Sequence, residues 1–134
     1  QLTSRDITVI IGVVGMVRGV VMYSMSKETA RQLVEAVLGQ PVPTFDSLAE
    51  SGISEIGNVI TGVASVELEK SGYSCRISPP SLVIGRDTVI STVNIKRLVV
   101  PLVTQFGEIE ISLALEEAAS KAERAAKQRT ASLR

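Results

Sequence analysis

FDSLAESGISEIGNVITGVASVELEKSG, residues 45–72, carries the longest helical pattern in the chain. Successive side chains on a helix turn by about 100°. That rotation places Ile53, Ile56, Ile60 and Val63 on one side, with Ala49 and Ala64 beside them, as a core-facing surface. Asp46 or Ser47 supplies the cap at the start and Gly72 the stop. Ser51, Glu55, Asn58 and Gly62 fall on a narrow stripe on the opposite side. Amphipathicity accounts for a polar stripe there. It does not account for a glycine, or for a glutamate and an asparagine held three apart, where helix propensity favours Ala, Lys or Gln. On spacing alone the plainer reading is a solvated face bearing arbitrary polar residues.

Working outward, the segment before this helix is a second, shorter one. Ser26 caps it, Ala30, Leu33, Val34, Val37 and Leu38 follow at the spacing of a core stripe, and Gly39 ends it. QPVPTFD connects the two. Upstream, after a polar lead, ITVIIGVVGMVRGVVMYSM reads as strands over 7–14 and 20–25 with the turn at 15–19. Gly12, inside the first strand, marks a bulge or a close backbone approach. Downstream, YSCRISPPSLVIGRDT is extended and interrupted by Pro79–Pro80. A strand over 97–105 carries Pro101, which argues for an edge. A strand over 108–116 alternates, with Ile109, Ile111, Leu113 and Leu115 inward and Ser112 outward, after a tight turn at Phe106–Gly107. Strands, two helices, then strands predict an α+β domain: an antiparallel sheet with both helices packed on it.

Composition narrows the chemistry. The 134 residues suit one domain, with an apolar fraction of 45%. No apolar run approaches the roughly 20 residues of a membrane span. The chain opens at Gln1 rather than Met, which leaves a removed upstream segment open. The single cysteine, Cys75, cannot form an internal disulfide, which favours a reducing, cytoplasmic setting. There is no histidine, so Ser-His and Cys-His dyads, histidine metal ligands and a phosphohistidine relay are excluded. No P-loop and no GxGxxG is present, and the acidic residues lack metal-ligand spacing. Residues 1–116 hold nine Lys/Arg against twelve Asp/Glu, while residues 117–134 hold five against two. That alanine-rich basic tail has no large apolar residue before Leu133 and no stripe to bury. With only four aromatic residues in the chain, a nucleic-acid surface is not indicated. Any chemistry must borrow most of its machinery from a partner.

Ser51-x3-Glu55-x2-Asn58, with Gly62 four residues on, resembles the signature helix of the CheC/CheX/FliY family of chemotaxis phosphatases. The surrounding order resembles it too: LTSRDITVIIGVVG and GVVMYSM are similar to the opening hairpin, RISPPSLVIG to a proline-containing loop, and LVVPLVTQFGEIEISLAL to the closing hairpin. One signature helix rather than two points to the CheX branch. Residues 1–117 form the expected domain, and 118–134 a flexible tail dispensable to catalysis.

The resemblance implies hydrolysis of the phospho-aspartate of a CheY-type response regulator. Glu55 and Asn58 would enter the regulator's active site, with Ser51 and Gly62 as flanking docking positions. The implied chemistry is physically coherent. A phosphoryl group already held by the regulator's own Mg²⁺ and lysine lacks only a placed water. A neutral amide at Asn58 can approach that anion and hold the water, while Glu55 can pair with the regulator's lysine. No cofactor of its own is implied. A homodimer joined through sheet edges is, with the 97–116 hairpin offering the edge. The alternative is a non-catalytic receiver-docking or flagellar-switch module of the same fold. Two features depart from the family pattern: the helical segment usual before the opening hairpin is missing ahead of Gln1, and the basic tail is not expected.

Overall fold

A computed structural model describes residues 5–85 and 96–118. Strands β1 (Ile7–Gly15) and β2 (Val17–Met25) lead into helices α1 (Lys27–Leu38) and α2 (Ser47–Lys70). Strands β3 (Cys75–Ile77), β4 (Ser81–Ile84), β5 (Leu98–Thr104) and β6 (Gly107–Glu117) follow. All six strands join one antiparallel sheet in the order β3-β1-β2-β6-β5, with β4 also paired to β1. This is the α+β arrangement that the order of elements predicts. Among the described residues no helix is long and apolar enough to cross a membrane.

The chain's local chemistry sets these boundaries. Ser26 accepts from Thr29 N and caps α1, and Gly39 ends it in the left-handed region at φ 68°. Asp46, rather than Ser47, caps α2 by accepting from Ala49 N. Val42 in the connection is buried, and the α1 side chains hold its backbone. Arg31 donates to Val42 O at 2.7 Å, and Glu35 accepts from Val42 N at 2.9 Å. A fork of Arg31 onto Glu28 fixes the guanidinium and pulls the Glu28 carboxyl down to about 2.

The core lies between the helices and one face of the sheet. Ile7, Val9, Ile11, Val21, Tyr23 and Met25 meet Ala30, Val34, Ala49 and Ile53 there. The packing corrects the helical expectations. Ile60 and Val63 of α2 are exposed, and its buried residues are Ala49, Ile53, Gly57 and Thr61. That row steps by four, and an i+4 row drifts around the helix relative to its axis. The contact seam therefore leaves the 100° stripe in the second half of the helix. Val37 and Leu38 of α1, expected in its core stripe, are exposed as well.

Two strand turns also shift. The β1–β2 turn is tighter than 15–19, because Val13 pairs with Gly19 inside the ladder. A side chain on Gly19 would collide with the Ala114 backbone of β6. The β5–β6 turn is Gln105–Phe106, and Gly107 already pairs with Thr104. The predicted alternation on β6 holds: Ile109 lies in the core, Ile111, Leu113 and Leu115 pack against it, and Ser112 takes the opposite face, where it and Ala114 are nonetheless the more deeply buried. With Met22 and Thr8 they occupy the sheet face turned away from the helices, and among the described residues no helix or strand lies over it. Pro101 does lie in an edge strand, and Gly12 does mark a close approach, with Ser78 Oγ accepting from its N–H at 2.8 Å. The tail beyond residue 118 lies outside the described residues.

Candidate functional site

α2 presents different chemistry on its two sides. Glu55 and Ser51 are exposed, and Asn58 and Gly62 are half-buried along the same outer stripe. The helix thus brings all four sequence-predicted positions onto one surface. Residues three apart on a helix are neighbours, with Cβ atoms about 5–6 Å apart, so Glu55 and Asn58 can reach one target together. Among the described residues neither side chain has a hydrogen-bond or ion-pair partner. A Cβ added at Gly62 would meet only Ile77 Cδ1, at an ordinary 3.8 Å. Gly62 is therefore not demanded by internal packing, and it leaves the outer surface low beside Asn58.

The inner side was not legible as part of a site. Gly57 is buried directly beside Asn58 in sequence. A Cβ there would lie 3.0 Å from Val9 Cγ1 and 3.5 Å from Tyr23 Cδ2, so the absent side chain lets the helix backbone settle onto the sheet. One turn on, buried Thr61 donates to Gly57 O at 2.8 Å. That uses its only proton, so Tyr23 OH is the donor in the 2.8 Å bond between Tyr23 and Thr61. Burial pushes the Tyr23 phenol up, which keeps it protonated. At the other end of α2, Gly52 admits Val34 of α1, whose Cγ1 would be 2.7 Å from an added Cβ. Gly52 and Gly57 are the signals in the sequence that mark these close contacts. Among the described residues, no three His, Cys, Asp or Glu side chains are grouped as a metal site.

A family model described as "Chemotaxis phosphatase CheX" matches residues 7–103, a span that takes in both helices and the whole Ser51–Gly62 stripe. The chain belongs to the CheX family. Its similarity to the "CheY-P phosphatase CheX" of Thermotoga maritima is 37% identity over 89 residues, covering 66% of this chain and 57% of that protein. Among solved structures, a CheX–CheY–BeF3–Mg²⁺ complex from Borrelia burgdorferi matches with a TM-score of 0.71 and 27% identity, covering 84% of this chain and 77% of that one. The CheX chemotaxis protein of Vibrio vulnificus shares the fold, with a TM-score of 0.75 over 87% of this chain and 80% of that one. CheX membership agrees with the single signature helix and with the antiparallel sheet that carries it.

Proposed function

We propose that this CheX protein accelerates hydrolysis of the phospho-aspartate on a CheY-type receiver domain. The observation that carries the reading is the Glu55–Asn58 pair, aligned on one surface of α2 and without hydrogen-bond or ion-pair partners among the described residues. The named activity of the Thermotoga relative and the CheY bound in the Borrelia complex support the same reading. The receiver supplies Mg²⁺ and the lysine around its phosphoryl group. Asn58 holds a water in line for attack on phosphorus, and its neutral amide meets no repulsion from the phosphoryl oxygens. Glu55 pairs with the receiver's lysine and sets the depth of docking. Ser51 and Gly62 flank the contact. Phosphate release from an acetyl-phosphate-charged receiver domain, with and without this protein, is the direct test. Equal rates in the two arms across the receivers of its own genome would remove the phosphatase reading and leave a docking module.

The working unit is a homodimer joined through β5. Among the described residues that strand is one edge of the sheet, opposite β3 and β4, and Leu98, Val99, Val100, Leu102 and Val103 on it are all exposed. An unpaired apolar edge of this kind is a template for a second strand. Light scattering at tens of micromolar should give twice the monomer mass. A Val100→Asp, Val103→Lys double variant should give the monomer mass.

A further inference from the structure

Resting on the phosphatase reading above, we propose that Tyr23 is a positioning residue: through Thr61 and the backbone of Gly57 it fixes the rotation of α2, and with it the aim of Glu55 and Asn58. Among the described residues the two functional side chains have no hydrogen-bond or ion-pair partner, so their placement is inherited from the helix backbone. On its inner side that backbone is held by apolar contacts at Ala49, Ile53 and Gly57 and by one polar chain, Tyr23 OH to Thr61 Oγ1 to Gly57 O. Among the described residues, the Tyr23–Thr61 bond is the only hydrogen bond joining α2 to the sheet.

Apolar contacts tolerate small rolls of a helix, because dispersion is non-directional and neighbouring side chains adjust. A buried hydrogen bond does not, since stretching it leaves two desolvated groups unpaired. The geometry makes such a roll consequential. Side chains reach about 5–6 Å from the helix axis, so a roll of about 20° carries their ends roughly 2 Å. Misplacement of a water-holding group by about 1 Å is enough to cost on the order of 10²-fold in rate. Thr61 bonds the carbonyl of the residue immediately before Asn58, so the constraint acts at the turn where the aim is set.

The test compares Tyr23→Phe, Thr61→Val and Thr61→Ser in steady-state phosphate release from a phosphorylated receiver, alongside melting temperature and the ¹⁵N-detected side-chain amide of Asn58. Tyr23→Phe and Thr61→Val should each lower kcat roughly tenfold while KM for the receiver stays within about twofold. The double variant should be no worse than either single one, because both remove the same bond. Thr61→Ser keeps the hydroxyl and should keep kcat. The Asn58 amide resonance should move in Tyr23→Phe and Thr61→Val and stay in place in Thr61→Ser. Unchanged kcat per folded molecule, with only the melting temperature lowered, would reduce Tyr23 to a stability role and overturn the proposal. A wild-type protein that releases no phosphate removes the phosphatase reading instead. The amide resonance then decides alone: an unmoved peak in Tyr23→Phe overturns the inference, and a moved one upholds it.

Discussion

Glu28 and Glu35 on α1 and Glu55 on α2 are carboxylates on neighbouring helices, yet they are engaged in opposite ways. The α1 pair has partners within the molecule: the exposed Glu28 is held by Arg31 and Gln32, and Glu35 accepts from the backbone N–H of Val42. That cluster ties Val42, in the connection between the helices, back to α1. Glu55 and Asn58 have no partner among the described residues, although Asn58 is half-buried. Polar groups that hold a fold are satisfied by it, because leaving them unpaired is costly. Polar groups that the fold leaves unsatisfied on one surface are available to something else. The difference teaches which cluster should govern stability and which should govern turnover.

The comparison breaks most visibly at Asn58. Asn58→Ala should lose on the order of 10²-fold in turnover, the usual cost of poor positioning, while still binding the phosphorylated receiver. Asn58→Asp should be as damaging or worse, since it sets a negative charge against the phosphoryl group; an active aspartate variant would mean general-base chemistry and end the water-positioning account. Neither change should shift the melting temperature appreciably, as a calorimetric scan would check. Glu55→Ala should lose turnover through weaker binding, with a steeper loss of affinity as salt rises in a titration against the receiver. A concerted drop in melting temperature for both variants would return the two residues to structural roles.

The smallest effects belong to α1. Arg31→Met should lower the melting temperature by a few degrees and leave kcat nearly unchanged, because it releases Val42 without touching the outer face of α2. The Glu28 carboxyl is held at about 2, below its usual 4.5, chiefly by hydrogen bonds from Arg31 and Gln32. A depressed folded-state value means that its contribution is present above the ordinary carboxylate range and is lost as pH falls from about 4.5 through about 2. A ¹³C-detected titration should show Glu28 returning toward its usual value in Arg31→Met.

Much of this was legible in the sequence. Helix caps are short-range chemistry, so Ser26, Gly39 and the start of α2 could be read directly. The outer stripe of α2 could be read as well, because residues facing away from the core obey only the helix's own geometry. The inner seam could not. Whether Ile60 or Thr61 faces the core depends on how α2 crosses the sheet, and that angle is a property of two packed surfaces. For the same reason Tyr23 and Thr61, 38 residues apart, gave no joint signal. Alternation along β6 separates its two faces but does not encode how deeply each is buried, so the burial of Ser112 and Ala114 carried no signal.

The partnerless state of Glu55 and Asn58 has an evolutionary consequence. Because neither side chain has a hydrogen-bond or ion-pair partner among the described residues, substitutions there should carry little penalty in folding. On the phosphatase reading proposed above, selection for turnover would keep them, and once that selection is relaxed they could drift while the scaffold persists. Descendants of this chain that retain the sheet, both helices and the Tyr23–Thr61 chain but lose the Glu–Asn pair would fold as well as their parent and still offer the same surface to a receiver. On that reading, one lineage could pass from hydrolase to binding adaptor through two steps that cost little stability.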